Sequence, residues 1–151
     1  MPARKDVTRF IHAQKYTQKS LEAVQNAQSI ATEYGNQQLE PPHLLLALLL
    51  DEGGLIPQLL GNMGLTVSSF TAAVKAEVEK LPRVSGSGRE QGKIYVAQDV
   101  DKCLNTAESI ASSMKDEYVS VEHLLLALID TANRELKVLF RTYNVTKEGV
   151  L

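Results

Sequence analysis

His43-Leu44-Leu45-Leu46-Ala47-Leu48 returns, residue for residue, as His123-Leu124-Leu125-Leu126-Ala127-Leu128. The offset is 80 residues, and it holds without a gap well outside the hexamer. Ala27 pairs with Ala107, Ser29-Ile30-Ala31 with Ser109-Ile110-Ala111, Leu59 with Leu139 and Thr66 with Thr146. Conservative pairs lie between them, among them Val24 with Leu104, Leu39 with Val119, Ile56 with Leu136 and Leu60 with Phe140. Aligning 14–71 with 94–151 gives 13 identities in 58 positions, where ordinary composition gives roughly three or four by chance. Two copies are too few for a solenoid. The expected architecture is all-α: two pseudo-twofold-related four-helix repeats around one core, forming one compact domain.

The helices follow from periodicity and punctuation. Thr17 is a good N-cap before Leu21, Val24, Ala27, Ile30, Ala31 and Tyr34, which recur at helical spacing. Gly35-Asn36 supplies the chemistry of a helix end. Pro41 and Pro42 suit the first turn of a second helix to about Leu50, because the first N–H groups of a helix lack partners in any case. That helix is apolar nearly all round, which predicts a buried centre. Gly53-Gly54 breaks it. A third helix is predicted over about 56–62, and a fourth from a Ser68 or Ser69 cap to about Lys80. Copy two reads as helices over about 97–114, 121–129 and 133–143, and its fourth has barely begun at Leu151, so a longer natural chain is expected. The scarcity of β-branched runs predicts no sheet. The division is then a flexible arm over 1–15, repeat one over 16–81, a Gly/Ser-rich linker over 82–93 and repeat two over 94–151.

Composition narrows the function. Sixteen Lys and Arg against eighteen Asp and Glu give a net charge of −2, so nothing favours nucleic acid or an anionic membrane as the main partner. With 44% hydrophobic and 23% charged residues, the chain lies outside the disordered regime. The longest apolar run, Leu44–Leu50, has seven residues, against about 20 for a membrane span. Arg4, Lys5, Arg9 and Lys15 make the N-terminus basic, but it has no apolar region of a secretory signal. One cysteine, Cys103, excludes a disulfide framework and fits a reducing, cytoplasmic setting.

No catalytic constellation is visible. Gly86 to Lys93 superficially resembles a phosphate-binding loop, but five residues rather than four separate Gly86 from Gly92, and Ile94 stands where Ser or Thr would hold magnesium. His43 and His123 open equivalent helices, without the paired spacing of metal ligands. They read as helix-entry histidines held by local hydrogen bonds. Cys103 falls on the apolar phase of its helix, opposite Ala23 in the other copy, as a buried thiol would. Asn144-Val145-Thr146 matches an acceptor sequon, which a reducing setting leaves idle. A binding module, with no metal and no cofactor, is the class these residues favour over an enzyme.

The sequence resembles the Clp amino-terminal domain, the duplicated helical module of the ATP-driven Clp unfoldases. The resemblance rests on Tyr16-Thr17-Gln18-Lys19-Ser20, on Ala23 to Gln28, on Pro41 to Leu49 and on Asp116 to Leu128. The linker Leu81 to Gly88 is similar to that of the ClpB-type disaggregase branch. The resemblance implies capture of unfolded or aggregated client protein through a shallow apolar groove and its transfer to an ATPase ring. It also implies an alternative, the docking of an adaptor, as in protease-linked branches. ATP and magnesium would belong to ATPase modules outside this chain, which would build the parent hexamer and leave this part monomeric. By motif, Thr17, Asp116 and Glu122 match polar positions of the ClpB-type substrate face, and Leu104 an apolar groove position. Each has a plainer role available. Thr17 can cap a helix, Asp116 and Glu122 can satisfy N–H groups at a turn and a helix start, and Leu104 can be core. The related ClpC branch places Glu before the helix-entry His in both copies, suited to phosphorylated arginine. Here Glu122 keeps that place but Pro42 replaces it in copy one.

Overall fold

The computed structural model describes residues 12–84 and 94–151. Eight α-helices lie in this part: α1 (Gln18–Glu33), α2 (Pro41–Leu50), α3 (Leu55–Asn62), α4 (Val67–Glu79), α5 (Gln98–Ser113), α6 (Val121–Asp130), α7 (Arg134–Thr142) and α8 (Lys147–Val150). Of the arm expected over 1–15, residues 1–11 lie outside the described part, and Ala13–Lys15 form a single 3-10 turn rather than free chain. Linker residues 85–93 also lie outside it.

Helices α2 and α6, the two copies of the leucine hexamer, are the centre. Every residue of α2 from Pro41 to Leu49 is buried, as are residues 123–128 of α6. Each central helix packs on the first helix of its own repeat, and the two touch one another. Four-residue capping motifs start several helices as the sequence suggests. The Thr17 hydroxyl oxygen accepts from Ser20 N at 3.1 Å, and Asn133 Oδ1 from Leu136 N at 3.0 Å. The expected Ser68 or Ser69 cap of α4 is corrected: the helix begins at Val67, with Thr66 in the cap position. Leu65 N already bonds the Leu60 carbonyl at 3.1 Å, and Gly64 (φ 94°) has reversed the chain, so helical geometry resumes sooner. Phe70 of α4 stacks at tilted angles on Phe140 and Tyr143, 6.3 and 5.1 Å between centroids, which ties repeat one to repeat two.

The expectation of no sheet is also corrected. Gln38–Leu39 (β1) and Tyr95–Val96 (β2) form a two-residue parallel pair, in register Gln38 with Tyr95 and Leu39 with Val96. Its pseudo-twofold counterpart is a single bridge between Tyr16 and Val119. In each case the chain entering one repeat pairs with the chain entering the central helix of the other. Ala97 N donates to the Leu39 carbonyl at 3.0 Å, and Thr17 N to the Val119 carbonyl at 3.0 Å. Such short pairs need no β-forming run. They satisfy backbone groups that buried turns would otherwise leave unpaired. Buried Ser20 adds a bond from its hydroxyl to the Val119 carbonyl at 2.7 Å.

Because α2 is enclosed on every side, truncating it leaves a cavity that neighbouring helices cannot collapse into. Leu45→Ala is expected to cost about 2–5 kcal/mol, read as a lowered urea midpoint at unchanged m-value, since Leu45 is fully buried.

Candidate functional site

The two histidines are structural clamps of one design. Glu40 N donates to His43 Nδ1 at 2.9 Å, and the other ring nitrogen lies 2.8 Å from Asn36 Oδ1. Ser120 N donates to His123 Nδ1 at 2.8 Å, and His123 Nε2 lies 2.8 Å from Asp116 Oδ2. With Nδ1 accepting from the backbone, the Nε2–H tautomer is required in both, and Nε2 donates to the side chain seven residues upstream. The ring therefore fixes the helix start and the preceding turn together. Asn36 passes the linkage on, donating from Nδ2 to the Pro82 carbonyl at 2.9 Å. Burial pushes the His43 imidazole down to about 4.

An open apolar groove of about 80 Å³ is lined mainly by residues of α1, α2 and α3. Its floor is Ala23 of α1, Ala47 and Leu48 of α2, and Ile56 of α3, with Val121 of α6 closing one end. Leu55, 44% exposed, lines it, and Leu50, 53% exposed, ends α2 nearby. Lys19 and Glu22 form one rim and Asp51 the other, with Lys19 Nζ 3.7 Å from Asp51 Oδ2. Both partners of that pair are exposed, so it is worth little and yields readily to a ligand. The equivalent face of repeat two is differently furnished. Cys103 replaces Ala23, is fully buried and bonds Thr131, which stands for Asp51, while Glu135 replaces Leu55. Burial pushes the Cys103 thiol up to about 12, so it is inert as a nucleophile.

The four sequence-selected site residues fall in different settings. Thr17 caps α1 and is half-buried at the junction of the repeats, bonded to Val119. Glu122 is half-buried in the first turn of α6, next to the groove residue Val121. Asp116 is exposed at the turn after α5, with one oxygen on His123. Leu104, at 2% exposed, packs in the core from α5 as Val24 does from α1. Sequence reading missed Ala23, Leu55 and Val121 as groove residues. The available signal was the difference between copies, small Ala23 against Cys103 and apolar Leu55 against Glu135. Among the described residues no group of three or more His, Cys, Asp or Glu gathers as a metal site, and no single helix is long and apolar enough to cross a membrane.

A duplicated helical body with paired clamps and an open groove has known counterparts. Residues 15–142 match the family model for the Clp repeat (R) N-terminal domain, and the chain belongs to that family. Its sequence is of the ClpB kind: it is 36% identical to the chaperone protein ClpB of Clostridium tetani over 138 residues, 91% of this chain. The chain spans 16% of that relative's length. The Hsp104 N-terminal domain of Candida albicans has the same fold, with a TM-score of 0.76 at 23% identity, covering 90% of this chain and 86% of that one. A ClpV N-domain solved in complex with a VipB peptide matches at a TM-score of 0.69 and 19% identity, covering 95% and 87%.

The depressed His43 value makes a signed prediction. A group that resists protonation in the folded state contributes its full stability above its ordinary value of 6.5 and loses it as pH falls from 6.5 toward 4. Unfolding free energy is expected to drop by up to about 3 kcal/mol across that window. In His43→Gln, denaturant titrations at pH 7 and pH 5 are expected to show a smaller difference than in the parent.

Proposed function

We propose that this domain captures exposed apolar segments of unfolded or aggregated protein and presents them to ATPase modules elsewhere in a longer, ClpB-like chain. It is a binding module, not a catalyst. The observation that carries this reading is the open groove of repeat one, lined by Leu55, which is 44% exposed. Leucines in such positions are retained where a partner covers them.

The mechanism is weak, reversible docking. An unfolded client loses chain entropy on binding, and a groove this small buries little area in return. Low affinity suffices if the domain is tethered near a pore, because tethering raises the effective concentration of the captured segment. Glu122, next in the chain to the groove residue Val121, and Thr17 would tune binding, with Lys19 and Asp51 parting as a side chain enters.

The solved pairing of a ClpV N-domain with a VipB peptide favours a second reading, docking of one dedicated partner or adaptor. NMR titration of the labelled chain with a model protein, once unfolded and once folded, separates the two. Client capture requires shifts at Ala23, Leu55 and Val121 with the unfolded form only. A stoichiometric complex with one folded partner, and indifference to unfolded chains, establishes the adaptor reading instead. Leu55→Glu changes an exposed side chain, so it is expected to weaken client binding about tenfold, the worth of part of one buried leucine, at unchanged melting temperature.

A further inference from the structure

The turn between α3 and α4 is built again between α7 and α8. Leu65 N bonds the Leu60 carbonyl at 3.1 Å, and Val145 N the Phe140 carbonyl at 2.8 Å. Gly64 (φ 94°) and Asn144 (φ 57°) hold the same left-handed position. The side chains around the two turns differ in kind. Repeat one places Pro57 and Gly61 on α3 and Val67 at the start of α4. A Cβ at Gly61 would lie 4.0 Å from Val67 Cγ2, so Val67 lies across the bare face of that glycine. Repeat two puts Lys137, Arg141 and Lys147 at the same three positions, and Asn144 at that of Gly64.

These residues of repeat two surround an open cavity of about 400 Å³, a size that small ligands use. Ile129 of α6 and the buried Phe140 and Val145 give it an apolar wall. Three cations stand round that wall against one carboxylate, Glu148. Lys137 and Arg141 are one turn apart on α7, where like charges repel. Neither side chain has an ion-pair or hydrogen-bond partner among the described residues. Lys147 Nζ lies 3.1 Å from Asp130 Oδ1, an exposed pair that is worth little and yields readily to a ligand. A bound anion would relieve the repulsion, and the excess of two positive charges in the lining matches a dianion. A phosphate monoester carries about −1.5 to −2 at pH 7.

We infer that this corner of repeat two is a binding site for a small phosphate monoester with an apolar body. The planar Arg141 guanidinium takes two phosphate oxygens, and Lys137 and Lys147 add point charges. The Asn144 amide donates a further bond, and the apolar body lies on Ile129, Phe140 and Val145. The site shares no residue with the groove of repeat one or with the two helix entries, so it is independent of client capture.

The labelled chain is titrated with phenyl phosphate, with phenol and with inorganic phosphate. The expected result is saturable shifts of the amides over residues 141–148 with phenyl phosphate, at a Kd of about 1–5 mM. Inorganic phosphate is expected to bind there more weakly, and phenol to leave those amides unmoved. Arg141→Gln changes an exposed side chain and is expected to weaken phenyl phosphate about fivefold at unchanged melting temperature. Lys137→Gln, also at an exposed position, gives the same readout should the first variant lose stability. Equal shifts with phenol, or equal affinity in both variants, would remove the role of charge and overturn the inference. Equal affinity for inorganic phosphate would leave a plain ion site and overturn it as well, as would silence over residues 141–148. Tighter binding of a phosphotyrosine peptide than of phenyl phosphate would assign the site to a modified protein and overturn the small ligand.

Discussion

The structure hangs on a buried imidazole at the entry of each central helix. A helix that is apolar all round has to be enclosed, and its first N–H groups are then enclosed with it. The residue before each helix has the same difficulty, and His43 and His123 answer it by accepting the N–H of Glu40 and Ser120. The opposite ring nitrogen reaches seven residues back to Asn36 or Asp116. One ring therefore sets where the helix begins and how the preceding turn lies against it. A neutral ring does this at little cost in a dry interior, whereas a charged one would have to be paired.

From those two entries the rest of the packing follows. The short extended stretches leading into α2 and α6 carry backbone groups that face the other repeat. They are met there by the chain entering α5 and α1. Each repeat thus completes the other at two symmetry-related places, and the Phe70, Phe140 and Tyr143 cluster adds a third tie away from the axis of the leucine helices. Neither repeat has a closed core alone, which is why the duplication forms one domain and not two.

The duplication also separates scaffold from surface. The His-Leu-Leu-Leu-Ala-Leu hexamer, identical between the copies, faces inward in both. Some of the residues that differ leave one copy open where the other is closed. Ala23 and Leu55 leave a groove that Cys103 and Glu135 do not. Arg83 and Val84 cover in repeat one what Met114 and Tyr118 expose in repeat two. A single core thereby supports two differently furnished faces.

The all-α duplicated architecture, the burial of α2 and α6, the extent of α2 and most helix bounds were legible in the sequence, because hydrophobic period and capping chemistry act within a few residues of one another. The helix-entry role of the histidines was legible for the same reason. The short parallel pairings and the groove of Ala23, Leu55 and Val121 were not, because each depends on residues far apart in the chain meeting at a particular angle. Thr17 and Asp116 show the boundary most clearly. Their local chemistry as cap and acceptor is written in the sequence, but only the packing of one repeat on the other decides that Thr17 sits at the junction and that Asp116, unlike Asn36, faces open solvent.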